Sequence, residues 1–202
     1  MSAPGERLGV FGGTFDPVHI GHLVAAVNAL HVVSLDRVAL VVANIPWQKQ
    51  GSRHICSAED RLAMVQAAVA EVDGLEACDI EIRRGGESVT ADTLQTLHAQ
   101  DPSRRLFLIV GADAAAGLPT WRRLDEVRSL AELVIVDRPG GSPLPEVGEW
   151  SAHRVEIPLL GISSSDLRAR AAQGRPLRFL VPEPVRALIE ERMLYRLDGD
   201  GD

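Results

Sequence analysis

The order of apolar runs along the chain constrains its fold more than any other feature. Short runs rich in Val, Ile and Leu, at residues 7–11, 37–43 and 105–110, alternate with stretches whose apolar residues recur at helical spacing. Continuous apolar runs of this length are typical of strands buried on both faces of a sheet. Strands separated by helices build βαβ units. The sequence therefore predicts an α/β fold that is Rossmann-like and doubly wound, with a mainly parallel sheet.

The remaining segments continue this alternation to the end of the chain. We expect further strands at residues 75–82, 131–137 and 153–158, and helices over residues 17–31, 58–72, 90–100, 120–130, 163–174 and 182–196. Residues 138–150 are rich in Pro and Gly and are interpreted as an exposed loop rather than a domain linker, because the same pattern resumes after them. The prediction is one domain over residues 1–202, with a small C-terminal helical portion at about 163–196 and disorder over 197–202.

Charge and composition exclude several classes of function. The net charge of −7 is the wrong sign for a protein that binds nucleic acid without regard to sequence. No apolar run approaches the ~20 residues that a membrane helix needs, and the first ten residues lack the pattern of a signal peptide. Cys56 and Cys78 have no metal-type spacing and are interpreted as ordinary thiols. Cytoplasmic residence, with no membrane or nucleic-acid partner, is the expectation.

The segment GVFGGTFDPVHIGHL, residues 9–23, carries the strongest functional signal. Gly12 and Gly13 follow the first strand, where glycine lets the backbone approach a ligand closely. Asp16 and Pro17 are typical of the start of a helix, whose free N–H groups favour an anion. The glycine spacing differs from the dinucleotide fingerprint, and no Gly-Lys-Ser/Thr follows as in a P-loop. The turn is nevertheless predicted to hold a phosphate.

Two histidines follow in the same helix start. His19 and His22 are three residues apart, so both rings lie on one face of the first helical turn. A pair of imidazoles above a phosphate donates N–H bonds to it, more strongly when protonated. Zinc is the alternative, but helical zinc ligands are usually four apart, and no third ligand is found in the sequence.

The sequences of two motifs resemble the signatures of a known enzyme superfamily. Residues 12–23, GGTFDPVHIGHL, are similar to the first signature of the nucleotidyltransferases, with its H-x-G-H core, and residues 161–168, GISSSDLR, to the second. The segments SVTADTL, GADAAAGLPTW, VDRPG and VPEPVRALIEERMLY narrow the resemblance to the bacterial nicotinate-nucleotide adenylyltransferases over nearly the whole chain. That family implies transfer of the adenylyl group of ATP to nicotinate mononucleotide, by in-line displacement at the α-phosphate with Mg²⁺ bound through the ATP phosphates, giving deamido-NAD and pyrophosphate.

The resemblance also implies the residues that bind ATP. Backbone groups of the first turn lie along the nucleotide, His19 and His22 bind its phosphates, and Gly21 leaves room for the adenosine. A helix start needs one serine as its cap, so the other two serines of the second motif are available to the phosphates, and Arg168 reaches the departing pyrophosphate. His19, His22 and Arg168 form the implied catalytic set. The implied ATP site comprises Gly12, Gly13, Thr14, Phe15, His19, Gly21, His22, Asp113, Ile162, Ser163, Ser164, Ser165 and Arg168.

The acceptor site is implied in the same way. A Trp face suits the nicotinate ring, and backbone N–H groups suit its carboxylate. The implied residues are Gly13, Thr14, Lys49, Thr90, Trp121 and Arg138. Residues 45–50, IPWQKQ, depart from the Pro-Pro-His-Lys wording that is frequent in the family, although Lys49 keeps a positive charge.

Three alternatives stay open on the sequence. Phosphopantetheine adenylyltransferase shares a similar first motif but lacks the ISSSDLR and DRPG wording. Preference for the amide nicotinamide mononucleotide over the acid is only weakly distinguished by sequence. A nucleotide-sensing module without catalysis is the third. The resemblance also makes a homo-oligomer an open possibility.

Overall fold

A single parallel sheet organises the molecule. The computed structural model describes residues 5–46, 55–137 and 150–196. Its six strands lie in the order β3-β2-β1-β4-β5-β6, and each neighbouring pair is parallel. This confirms the Rossmann-like α/β prediction. The strands are β1 (Arg7–Gly13), β2 (Arg37–Val42), β3 (Leu75–Cys78), β4 (Arg105–Gly111), β5 (Ala131–Asp137) and β6 (Ala152–Glu156).

Helices connect the strands and cover both faces of the sheet. Within the described ranges they are α1 (Ile20–Val32), α2 (Ala58–Val69), α3 (Ile80–Arg84), α4 (Thr90–Gln100), α5 (Ala112–Ala116), α6 (Leu124–Leu130), α7 (Ser164–Ala172) and α8 (Glu183–Glu191), with a 3-10 turn at Leu118–Thr120. In this part of the chain, no helix has the length and apolar character that crossing a membrane requires.

Alternating strand residues build two cores. Phe107 and Ile109 of β4 point to one face, with α1, α2, α7 and α8, whereas Leu106 and Leu108 point to the other, with α4, α5 and α6. This follows from the two-residue period of a strand, since successive side chains lie on opposite faces. The apolar character of both faces explains why the strands read as continuous apolar runs.

The sheet order reverses at β1. The chain runs outward from β1 to β2 and β3, and then returns to pair β4 with the other side of β1. The connection that follows β1 leads toward β2, and the connection that follows β4 leads toward β5. Because these two connections lead away from each other, a crevice opens beyond the carboxyl ends of β1 and β4. The fold therefore places its ligand crevice beside Gly13 and Gly111, the last residues of these strands.

Several boundaries differ from the sequence-based expectation, including the ends of α2 at Val69 and of α8 at Glu191. The first helix begins at Ile20 rather than near Pro17, because His19 takes the capping position and Asp16 is buried beneath the turn. The expected strand at 75–82 ends at Cys78, and Ile80–Arg84 is helical, with Glu81 buried and bonded to Thr93. The expected helix at 120–130 begins at Leu124, after the 3-10 turn.

Residues 163–196 contain α7 and α8, and their description as a separate C-terminal helical portion stays a prediction. Residues 197–202, for which we expect disorder, lie outside the described ranges, as does most of the expected loop at 138–150.

Candidate active site

The turn after β1 is shaped by its glycines. A Cβ added at Gly13 would lie 2.7 Å from the Phe15 ring, closer than carbon atoms approach, whereas one at Gly12 would meet nothing within 4 Å. Phe15 has a left-handed φ of 51° and is 2% exposed. Its ring packs edge-on against His22, with 5.0 Å between ring centroids. The Phe15 side chain therefore supports the turn from inside.

His19 and His22 stack on each other at the start of α1. Their ring centroids are 3.7 Å apart, and the backbone N–H of His19 donates to Nδ1 of His22 at 3.2 Å. Because this Nδ1 accepts a hydrogen bond, the proton of the neutral His22 ring is carried on Nε2. Burial lowers the pKa of His19 to about 4, so its ring is neutral at pH 7. The pair therefore presents neutral imidazoles, and the additional strength expected from protonation does not apply to His19.

Gly21 lies beside the first of these rings. A Cβ at Gly21 would approach ring atoms of His19 to 3.1 Å, which is tighter than ordinary van der Waals contact. The structure thus gives Gly21 a neighbour that the sequence did not indicate. Space for the adenosine beside this residue stays a prediction.

Part of the predicted anion cradle is already used. The N–H of Ile20, the first residue of α1, donates to the carbonyl of Leu180 at 3.1 Å, and the N–H of His19 is taken by His22. These two groups are not available to a phosphate, contrary to the sequence-based interpretation. The reason is tertiary, because Leu180 approaches from the C-terminal part of the chain.

The second motif packs directly on the first. The Ser164 hydroxyl donates to the carbonyl of Pro17 at 3.0 Å, and Arg168 Nη1 donates to the carbonyl of Asp16 at 2.6 Å. Ser163 caps α7 by accepting from the N–H of Asp166, and Ile162 packs against the adjoining core. The starts of α1 and α7, far apart in sequence, therefore adjoin the same turn, as the resemblance implied.

The serines differ in their partners. Ser163 serves as the cap, whereas the Ser164 hydroxyl is committed to Pro17 and the Ser165 hydroxyl accepts from Arg168 Nη2 at 3.0 Å. Two serines beyond the cap were expected to be available to a phosphate. Each of them already has a protein partner, so a nucleotide would have to share or replace these bonds.

A cavity of about 400 Å³ opens beyond the carboxyl ends of β1 and β4. The predicted acceptor residues Thr90 and Trp121 both line it, together with Gly13 and Thr14. Thr90 is the first residue of α4, an eleven-residue helix, so the positive end of that helix borders the cavity. Arg122, which also lines the cavity, pairs with Glu87 at 2.6 Å. The cavity thus combines an aromatic ring, apolar strand ends and a helix start.

The other predicted residues are placed as follows. Asp113 lies exposed in the first turn of α5, just after Gly111, and does not line this cavity. Lys49 and Arg138 lie outside the described residues, as do Trp47 and Gln48 of the same loop.

Sequence reasoning missed the guanidinium beneath the turn. Arg61 of α2 is 1% exposed and donates to the carbonyls of Thr14, Ala43, Asn44 and Cys56 at 2.6–3.0 Å. It therefore joins the ends of β1 and β2 to α2. A signal was present in the sequence, because Arg61 shares helical spacing with the apolar Met64, Val65 and Ala68, and an arginine on a buried face requires partners.

Sequence reasoning also missed the residues that hold Asp16. This aspartate is 1% exposed, and the Tyr195 hydroxyl donates to its Oδ1 at 2.8 Å. The two residues are 179 positions apart. No local pattern predicts such a contact.

Comparisons with known proteins show which family the chain resembles. A family model described as cytidylyltransferase-like matches residues 10–170. A relative from Desulfitobacterium hafniense, described as "Probable nicotinate-nucleotide adenylyltransferase", is 42% identical over 206 residues and covers 98% of this chain and 99% of its own length. A Streptomyces coelicolor relative with the same description is 46% identical over 187 residues, covering 92% of this chain and 98% of its own.

A solved structure has the same fold. The nicotinic acid mononucleotide adenylyltransferase of Plasmodium falciparum, complexed with NaAD, superposes with a TM-score of 0.75 at 16% identity, over 94% of this chain and 97% of that chain. At this level of identity the likeness is one of fold.

Proposed function

The chain belongs to the cytidylyltransferase-like family and, within it, to the nicotinate-nucleotide adenylyltransferases, and from that premise we propose that it transfers the adenylyl group of ATP to nicotinate mononucleotide in NAD biosynthesis. A phosphate oxygen of the mononucleotide attacks the α-phosphorus of ATP. The bond from that phosphorus to the oxygen bridging to the β-phosphorus breaks, and its electron pair leaves with pyrophosphate. The products are deamido-NAD and pyrophosphate.

One observation carries the proposal: the starts of α1 and α7 adjoin one turn at the carboxyl end of β1. Phosphoryl and adenylyl transfer need alignment and charge neutralisation more than a strong base, because the attacking oxygen is already anionic. His22 carries its proton on Nε2 and so donates to an ATP phosphate, while Arg168 supplies permanent positive charge. His19, which is neutral and stacked on His22, orients that ring and donates beside it.

The acceptor binds in the cavity beside this turn. Trp121 stacks on the nicotinate ring, and the start of α4 at Thr90 faces the carboxylate, which the positive end of a helix favours. Because the cavity adjoins Gly13 and Thr14, an acceptor in it has its phosphate near the ATP site. The roles of Lys49 and Arg138 in the acceptor site, and of Asp113 in the ATP site, stay predictions.

Mg²⁺ is proposed to arrive bound to the ATP phosphates. Within the described part of the chain no group of three or more His, Cys, Asp or Glu side chains is placed to hold a metal. The Nε2–H of His22 and the guanidinium of Arg168 at the turn are donors that complement phosphate oxygens. This donor set fits a metal held mainly through nucleotide oxygens, as is usual for Mg²⁺. When bound, the ion neutralises charge on the leaving pyrophosphate.

We also propose that the protein resides in the cytoplasm.

Steady-state release of pyrophosphate tests the function. With ATP and Mg²⁺ present, nicotinate mononucleotide should release pyrophosphate with a higher kcat/KM than nicotinamide mononucleotide or phosphopantetheine. His22→Ala is the matched control for contaminating activity, and its turnover should fall by about 100- to 1,000-fold because one preorganised donor is lost. A higher kcat/KM for the amide or for phosphopantetheine would change the acceptor. Absence of pyrophosphate with every acceptor would favour the nucleotide-sensing alternative.

A further inference from the structure

The C-terminal segment contacts the phosphate-binding turn at two points. Leu180 accepts the N–H of Ile20 at 3.1 Å, and Tyr195, just beyond α8, donates its hydroxyl to Asp16 Oδ1 at 2.8 Å. Asp16 lies three residues before His19 and is almost fully buried. The side chain of Tyr195 therefore ends directly beneath the turn that presents the two histidines.

We propose that Tyr195 is a positioning residue for adenylyl transfer, acting through Asp16 to fix the turn that carries His19 and His22. This inference rests on the proposed function. Tyr195 itself touches no reacting atom, and its contribution is geometric.

The contacts of Asp16 show why one hydroxyl matters. Its backbone carbonyl is held by Arg168, but this bond leaves the orientation of the side chain open. Among the described residues, carboxylate oxygen Oδ2 has no hydrogen-bond partner, and it lies 4.0 Å from Arg168 Nη1. A buried carboxylate is costly unless it is hydrogen-bonded. Loss of the Tyr195 hydroxyl therefore favours a rearrangement of the turn that brings Asp16 to water or to Arg168.

The same surroundings keep the phenol protonated. Burial, and next the charge of Asp16, raise the pKa of Tyr195 well above the ordinary value of 10. The hydroxyl thus remains a donor throughout the pH range in which the enzyme is assayed. Tyr195 is also the only tyrosine of the chain, so phenolate absorbance reports on this one side chain.

Turnover of Tyr195→Phe tests the proposal, since this change removes the hydroxyl and keeps the ring. We expect kcat per folded molecule to fall about tenfold, because small misplacements of aligned groups are costly, with KM for both nucleotides within about twofold of wild type. Arg192→Gln is the matched control. It breaks the 2.7 Å pair with Asp60 that ties the same segment to α2 but leaves Asp16 untouched, so its kcat should equal that of wild type.

A spectroscopic readout separates positioning from stability. Burial holds the pKa of His19 to about 4 in the wild type. If the turn loosens in Tyr195→Phe, NMR titration of the His19 ring should show this pKa rising toward 6.5, whereas Arg192→Gln should leave it unchanged. A merely structural role for Tyr195 would lower the melting temperature without moving the pKa of His19 in the folded protein.

A double-mutant cycle identifies the route. On an Asp16→Ala background, Tyr195→Phe should change kcat by less than about twofold, because the two residues act as one unit. Any one of three results would overturn the proposal. These are an equal loss of kcat on both backgrounds, an unchanged kcat together with an unchanged His19 pKa in Tyr195→Phe, and a Tyr195→Phe protein that does not fold. Failure of the proposed function is recognised separately, because the wild type itself would then release no pyrophosphate.

Discussion

At the residue scale, two histidines of one motif have different surroundings. His19 is 7% exposed and has a lowered pKa, whereas His22 has its tautomer set by a bond from the His19 backbone. His19 is thus neutral at pH 7, and Arg168 carries the positive charge beside the turn. His19 Nδ1 is buried without a partner among the described residues. Protonation of His19 is therefore disfavoured in the folded protein.

Stability should consequently depend on the charge of His19 at mildly acidic pH. Its pKa is 6.5 in the unfolded chain and about 4 when folded, so the unfolded state binds more protons between these values. The stabilisation is present above pH 6.5 and is lost as the pH falls toward 4, amounting to on the order of 3 kcal/mol. We expect melting temperatures to fall more steeply from pH 7 to pH 4.5 for wild type than for His19→Asn, which keeps a capping side chain without a titrating ring. Parallel profiles for the two proteins would show that His19 does not titrate in this way.

At the element scale, Arg61 connects the parts that surround the turn. Its guanidinium donates to four carbonyl oxygens, contributed by the ends of β1 and β2 and by the residues before α2. Each of these carbonyls lies where a strand has ended or a helix has not yet begun, so the local backbone offers it no partner. One buried side chain thereby closes the backbone around the start of the crevice.

Removal of this guanidinium should destabilise the whole fold. Arg61→Met leaves several buried carbonyls without donors, and we expect the free energy of unfolding to fall by about 3 kcal/mol or more. Urea denaturation at pH 7.5 measures it. Arg83→Met is the control, because Arg83 makes an exposed pair with Asp79, and its loss should cost less than about 0.5 kcal/mol. Similar midpoints for the two variants would contradict the role given to Arg61.

At the scale of the whole molecule, the sheet order places the turn after β1 beside the cavity, and we propose a different substrate for each. The turn with its histidines follows β1, and the cavity with Trp121 lies between the ends of β1 and β4. The chain has a net charge of −7, yet the turn is held by Arg61 and Arg168, so local positive groups rather than overall charge favour a phosphate. A substitution in the cavity should therefore change KM for the acceptor and leave KM for ATP nearly unchanged.

Trp121→Ala should therefore raise KM for nicotinate mononucleotide selectively. Loss of a stacking ring costs about 1–3 kcal/mol per base, which corresponds to a rise in KM of roughly 5- to 150-fold, while KM for ATP should stay within about twofold. Trp150→Phe is the matched control, because Trp150 bonds the carbonyl of Ala131 at the opposite end of the sheet. It should lower stability and leave both KM values unchanged. Equal rises for both substrates in Trp121→Ala would place the ring outside the acceptor site.

The sequence by itself determined the features that depend on neighbouring residues. Alternating apolar runs predicted the parallel sheet, and one serine of the second motif was expected to cap its helix, as Ser163 does. The two motifs of the resemblance lie against each other in the fold, and Thr90 and Trp121 line one cavity, whereas their binding of the acceptor stays a prediction. These signals are local, because a cap, a strand period or a motif is contained within about ten residues.

Only the tertiary structure decided which polar groups are already used. The start of α1 at Ile20, the bond from its N–H to Leu180, and the burial of Asp16 against Tyr195 all depend on a segment more than 150 residues away. A hydrogen bond across such a separation leaves no period or spacing in the sequence, since either partner alone resembles an ordinary surface residue. The physical reason is that burial, which makes these polar contacts necessary, is a property of the assembled fold rather than of any one segment.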